Sequence, residues 1–388
     1  MTATGSVRGL AGIRVLELGE MVSAPHAGKL LADLGADVIK VEPPGGERAR
    51  QRGPFRHGPD PDASGLFLAL NTNKRSVVVE PGDPAGRMAP LVASADIVLT
   101  NLRPDELTPF GIDLTDLHRR RPELVTCSIL PFGLHGPHAH YRAEELQVTH
   151  GGGWAYQCPG ASPEVDQPPL KVFGHQSDFH AGLVAATVAL AAFDRAEATG
   201  IGDLIDLSSL AHTAGMLEAA LIAASYMGED PGRLGSRLLN PWRIFDGADG
   251  RIFLVTVEQD QWERLVELMG NPEWAATGLF DTLELRLENE DLLTLYLQEW
   301  IGDQPVDELW RRGQEQRICF APVLTMADLE HQDHLRHREF LVEVDHPKAG
   351  TLTHLGPPFR ADNAMWGPLG PAPSSIRGPT RPSVLAAR

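Results

Sequence analysis

Cysteine is nearly absent from this chain: there are three in 388 residues, Cys127, Cys158 and Cys319, widely separated and in no Cys-x-x-Cys pair. That pattern excludes a disulfide framework and a cysteine-based zinc site, and it fits a reducing cytoplasm. Positive charge is scarce too. Lys and Arg number 34 against 52 Asp and Glu, for a net charge of −18, which argues against a general affinity for nucleic acid or anionic membrane. An anionic small ligand would need a local basic pocket. No apolar run reaches the roughly 18 residues of a spanning helix, residues 1–12 lack an apolar core of signal-peptide length, and there is no internal repeat or low-complexity tract. The longest apolar helical run, 181–193, reads as a buried helix of a soluble protein. The Pro- and Arg-rich tail, 367–388, is expected to wrap over a surface or a partner.

Apolar material is plentiful. At 42% of the sequence it suffices for the cores of two or three domains at this length. Residues 13–18 read as a strand, 26–34 as a helix after the turn residues Ser23 and Pro25, and 37–41 as a second buried strand. Such a unit winds right-handed into a parallel sheet. The alternation continues with strands at 76–80, 96–100 and 123–129 and helices at 83–93 and 114–121, which predicts a doubly wound, Rossmann-like α/β sheet. After an apolar helix at 209–226 the composition turns to Trp, Leu and acidic residues, with a strand at 252–257 and helices at 262–269, 292–300 and 306–314. The expected division is a large α/β domain over 1–227, a small α+β domain over 228–320, and a return segment, 321–388, completing the large one.

In such sheets ligands bind beyond the carboxyl ends of the strands, which points to the loops at 18–25, 41–52 and 101–111. No Gly-x-Gly-x-x-Gly follows any strand and no Gly-x-x-x-x-Gly-Lys-Ser/Thr loop exists, so standard nicotinamide and nucleoside triphosphate chemistry is excluded. Asn71, Thr72, Asn73 and Lys74, followed by Arg75 and Ser76, are a kit suited to a phosphate or diphosphate, or else a polar turn before a strand. Asn101, Leu102 and Arg103 stand at the functional edge or in a plain loop. Glu144 and Glu145 either steer a group near the site or form a solvated pair. His135, His138, His140 and His150 lack metal-ligand spacing, and Trp262, Trp274, Trp300 and Trp310 read as core. Asp178 opens the 181–193 apolar run. It is a helix cap or a nucleophile, and both roles favour the ionised form.

Residues 10–18, 31–43 and 71–76 together resemble the class III CoA-transferase family, the group of formyl-CoA transferase, carnitine CoA-transferase and α-methylacyl-CoA racemase. Segments 101–104, 246–252, 261–265 and 333–340 extend the resemblance, in order, along nearly the whole chain. It implies that the Asp178 carboxylate attacks an acyl-CoA thioester and comes to hold CoA as an aspartyl thioester, before an acceptor carboxylic acid reverses the steps. Coenzyme A is then a substrate, with no metal or redox cofactor. The resemblance also implies CoA contacts from Asn71, Thr72, Asn73, Lys74, Asn101, Leu102, Arg103 and Arg142, a carboxylate near the nucleophile at Glu144, and Val22 and Ser23 in the loop over the thioester. An interlocked homodimer is implied too. This chain departs from the family in having Val22 where formyl-CoA transferase has glutamine, Ala24 for a common glycine, and Pro43 where some relatives carry arginine. Stabilisation of the oxyanion must then come from backbone N–H groups or from elsewhere, and a larger acyl group fits better than formate or oxalate. Two alternatives share the fold: racemase-type proton transfer, for which Ala143 stands where a histidine is expected and His140 is near, and a non-catalytic CoA-binding subunit of a heteromeric transferase.

Overall fold

The computed structural model describes residues 7–56, 58–82, 84–158, 168–228, 239–362, 364–368 and 370–375. Six strands form one sheet: β1 (Arg14–Leu18), β2 (Asp37–Glu42), β3 (Arg75–Val78), β4 (Ile97–Thr100), β5 (Val125–Leu130) and β6 (Leu204–Ser208). Their order is β3-β2-β1-β4-β5-β6 and every neighbouring pair is parallel. This is the doubly wound order, in which the sense of winding reverses between β1 and β4.

β4 and β5 are buried at every residue, as expected of parallel strands covered on both faces. Alternate residues feed two cores. Val15, Ile97 and Leu99 join one with the helices Ser23–Asp33 and Gln176–Thr199, while Leu16, Leu18 and Val98 join the other with the helices Ala89–Ser94 and Leu114–Arg120. Gln176–Thr199 buries Ser177, Ala181, Gly182, Ala185, Ala186, Ala189 and Ala192. By length and composition alone this helix would pass for a membrane span, but its small-residue face lies in the core of the parallel-sheet unit. A Cβ on Gly182 would stand 2.5 Å from the Ser23 carbonyl oxygen, so glycine is what lets these two helices touch.

The chain divides into two compact units. The first, Met1–Tyr156 with Leu170–Ala219 and His334–Arg388, holds the parallel sheet and the hairpin Leu341–His346/Gly350–Leu355. The second, Gln157–Pro169 with Ala220–Asp333, holds a three-stranded antiparallel sheet, Cys319–Pro322, Arg251–Val255 and Trp242–Asp246, under helices. Trp262 is buried in its core, with Trp274, Trp300 and Trp310 packed against it.

The second unit thus starts before residue 228 and runs beyond 320. Residues 209–226 are two helices, Ser209–Gly215 and Ala220–Met227, instead of one. The break falls where the chain crosses between units, with Glu218 in the left-handed region at φ 50°. Of the expected helix at 83–93, residue 83 lies outside the described residues; the rest is a π turn, Pro84–Met88, followed by Ala89–Ser94. Of the tail, 369 and 376–388 lie outside them as well. Pro373 and Ser375 pack on the first unit through Arg50 and Asp62.

Candidate active site

The winding reversal between β1 and β4 opens a cavity of 490 Å³. Glu20, Met21, Val22 and Ser23 line it after β1, Asn101 and Arg103 after β4, and Ile129, Leu130 and Pro131 at the end of β5. Arg48, Tyr141, Arg142, Glu144, Gln147 and Ser209 close the wall, with Asp178 among them. Seven of the expected site residues therefore meet: Val22, Ser23, Asn101, Arg103, Arg142, Glu144 and Asp178. Arg48 and Glu20 were legible only as members of the right loops.

Asp178 is not the helix cap. The helix begins at Gln176 with His175 in the cap position, so Asp178 is its third residue. The first-turn N–H groups are satisfied from elsewhere in the chain. Buried Glu145 accepts from Ser177 N at 3.0 Å, Asp178 N at 3.1 Å and Ser177 Oγ at 2.5 Å. With a second carboxylate capping this helix, Asp178 is left to face the cavity, its side chain 26% exposed. Its only side-chain partner among the described residues is His175 Nδ1, at 3.3 Å.

Burial pushes the Asp178 carboxyl above the usual aspartate range. The His175 hydrogen bond pulls it down, and the Glu145 charge pushes it up again. The net direction is opposite to what capping alone would give. His175 is raised in turn, first by its hydrogen bond to Asp178. A desolvated carboxylate with raised basicity is a better nucleophile than a solvated one. Glu144 also faces the cavity, but it lies at the exposed start of its helix, 3.4 Å from Arg48. The carboxylate that touches the Asp178 segment is its neighbour, Glu145.

Val22 is the N-cap of the Ser23–Asp33 helix and no side chain caps it. Among the described residues, no protein acceptor meets the N–H groups of Val22, Ser23 or Ala24. A helix start with free N–H groups at a cavity wall is suited to developing negative charge.

Asn71, Thr72, Asn73 and Lys74 do not reach this cavity. Lys74 Nζ donates to Glu17 Oε2 at 2.7 Å, to the Pro25 carbonyl at 2.7 Å and to Asn71 Oδ1 at 2.8 Å. Burial drops its pKa to about 8. Asn71 donates to the Phe67 carbonyl, and Thr72 and Asn73 donate to Asp33. Their polar atoms hold the sheet and its first helix together. Leu102 likewise packs on an apolar core.

One atom each of Glu145, His175 and Asp178 lies within 4.8 Å of the others, a spacing that would suit a metal ion. Both Glu145 oxygens, however, already accept hydrogen bonds from the helix start. None of His135, His138, His140 and His150 belongs to that group.

A carboxylate, free backbone N–H groups and guanidinium groups thus meet in the switch-point cavity of a Rossmann-like sheet, the place where such folds bind small molecules. The chain belongs to CoA-transferase family III, whose family model matches residues 10–375. It is 32% identical over 376 residues to a succinyl-CoA:mesaconate CoA-transferase of Haloarcula marismortui, covering 94% of this chain and 93% of that protein. It is 34% identical to a succinate–glutarate CoA-transferase of Agrobacterium fabrum, over 67% of this chain and 66% of that protein. A CAIB/BAIF family protein of Brucella suis superposes with a TM-score of 0.84 at 28% identity, covering 95% of this chain and 96% of that one. The protein is thus a class III CoA-transferase, with acyl-CoA as its substrate.

Proposed function

We propose that this enzyme moves CoA between two carboxylic acids through a covalent aspartyl thioester on Asp178. The observation that carries this reading is Asp178 itself, a raised, cavity-facing carboxylate in the same wall as the free N–H groups of Val22 and Ser23. An Asp178 oxygen attacks the thioester carbonyl, forming a mixed anhydride as the C–S bond breaks and CoA thiolate leaves. The thiolate attacks the aspartyl carbonyl, and the donor acid departs as its carboxylate. The acceptor carboxylate then attacks the aspartyl thioester, thiolate leaves again, and its attack on the acceptor acyl carbon frees Asp178. Each tetrahedral oxyanion finds N–H donors at the start of the Ser23–Asp33 helix, a role that Val22 does not supply from its side chain.

The acids we propose are dicarboxylic, as in the names of the haloarchaeal and Agrobacterium relatives. Arg48, Arg103 and Arg142 in the wall supply charge for a distal carboxylate or for the CoA phosphates. Asn101 supports the loop over the thioester. Proton transfer of the racemase kind needs bases on both sides of the α-carbon. His140 packs edge-on against Tyr141 and is not in the cavity wall, where Ala143 stands. We further propose that the active form is a homodimer. Leu183 and the Ala220–Met227 helix, none of whose residues is buried, leave apolar surface for a second copy to cover.

The test is to incubate the protein with succinyl-CoA, trap with hydroxylamine or borohydride, and map the modified peptide by mass spectrometry. Modification at Asp178, lost in Asp178→Ala, is the expected result. Modification elsewhere, or none across a panel of acyl-CoAs, overturns the covalent reading.

A further inference from the structure

The loop that carries the Val22 and Ser23 N–H groups is held in an unusual shape. Met21 sits at φ 61°, in the left-handed region that a residue with a side chain avoids unless its surroundings hold it there. Those surroundings are polar and buried. Asn101 brackets Glu20, accepting from its N–H at 3.0 Å and donating to its carbonyl at 2.8 Å. Lys40 Nζ donates to the Gly19 carbonyl at 2.8 Å. Met21 N donates to Glu47 Oε2 at 2.9 Å, the same oxygen that accepts from Ala49 N at 2.9 Å. Glu47 is itself 2% exposed and pairs with Lys40 at 3.2 Å, while Lys40 pairs with Glu17 at 2.7 Å.

We infer that Glu47 is a positioning residue for CoA transfer: its carboxylate fixes the left-handed turn at Met21 and so aims the Val22 and Ser23 N–H groups at the reacting carbonyl. No other side chain among the described residues binds the Met21 amide. Glu47 does not line the cavity, so it acts only through the loop. The effect belongs on turnover more than on binding, since an oxyanion donor acts on the transition state. The inference rests on the oxyanion role given above to the loop, and not on which residue carries CoA.

The test compares wild type, Glu47→Ala, Met21→Gly and the double variant, using the donor and acceptor pair found active in the acyl-CoA panel. Thermal melts run alongside report folding. Glu47→Ala is expected to lower kcat about 10- to 100-fold with less than about threefold change in the KM for acyl-CoA. Glycine accepts a positive φ without help, so Met21→Gly is expected to return the double variant at least halfway, on a logarithmic scale, to the rate of Met21→Gly alone. A merely structural Glu47, serving as counter-ion to Lys40 or cap of the Arg48–Gln51 turn, would give no such rescue, and that result overturns the inference. Crystals of Glu47→Ala give a readout independent of substrate. Met21 is expected to leave the left-handed region, and persistence near 61° overturns the clamp whatever the rates. The Asp178 trapping experiment fails or succeeds separately from both.

Discussion

At the scale of the residue, Asp178 is tuned by neighbours acting in opposite directions, His175 against Glu145 and Glu144. Burial raises its pKa, the His175 hydrogen bond lowers it, and the Glu145 charge raises it. A nucleophile must be ionised, so kcat/KM should fall on the acid side with an apparent pKa above the ordinary aspartate value. Removing His175 takes away the lowering influence. His175→Ala is therefore expected to move the acid limb to higher pH. Glu145→Gln removes a raising charge and should move the limb down, while costing roughly tenfold in rate because one cap acceptor of the helix is lost. Matched pH–rate profiles check both signs. Shifts in the same direction would show that the limb belongs to another group. The same residue shows where local sequence reaches its limit. An Asp before an apolar run reads as a cap, and only the fold reveals that Glu145, 33 positions earlier, already caps that helix.

At the scale of the element, the Gln176–Thr199 helix delivers Asp178 to the cavity by lying hard against the Ser23–Asp33 helix. Gly182 makes the contact possible, and half-buried His26 donates from Nδ1 to the Phe179 carbonyl at 2.9 Å, its pKa held near 4 chiefly by desolvation. Gly182→Ala would place a Cβ 2.5 Å from the Ser23 carbonyl and 3.0 Å from His26 Cβ. Backbone cannot yield as a flexible side chain does. Overpacking of this kind costs about 1–3 kcal/mol, and here it pushes the nucleophile's helix off the loop that holds the oxyanion. We expect a lower urea midpoint together with a kcat loss beyond what the unfolded fraction explains. Unchanged kcat with lowered stability would mean that the helix spacing does not set the site. Five of the six sheet strands were legible because a doubly covered parallel sheet writes itself as short apolar runs such as 97–99, whereas the less buried edge strand Leu204–Ser208 carries no such run and was not read. Asn71 to Lys74 stayed open between two readings because a polar cluster at a strand start looks the same whether it meets a ligand or the protein's own Glu17 and Asp33. Those partners lie 57 and about 40 positions away, and no local pattern encodes them.

At the scale of the whole molecule, the chain buries some of its acids with matched cations, although its net charge is −18. In the first unit Glu42 accepts from Arg50 at 2.6 and 2.8 Å and from Ser76 at 2.5 Å. Asp62 accepts from Arg50 at 3.1 Å, Lys348 at 2.5 Å, and Ser375 through N at 2.5 Å and Oγ at 2.8 Å. One guanidinium thus ties the sheet to the returning C-terminal segment. Burial raises the pKa of both carboxyls, but the hydrogen bonds and cations outweigh it, and both end below their ordinary values of 4.5 and 3.8. A depressed folded pKa contributes stability that is complete above the unfolded value and lost as pH falls through the folded one. Stability should therefore hold at pH 5 and above and decline below about 4.5. Asp62→Asn weakens the hold on Arg50, which keeps Glu42, and on half-exposed Lys348, so it should cost less than the about 3–5 kcal/mol of leaving a buried charge with no partner. Because that variant has already lost part of the titrating network, its stability should change less steeply between pH 5 and 3 than that of the wild type. Urea midpoints across that range decide the matter, and an equally steep decline in both proteins would place the acid sensitivity outside the Arg50 network.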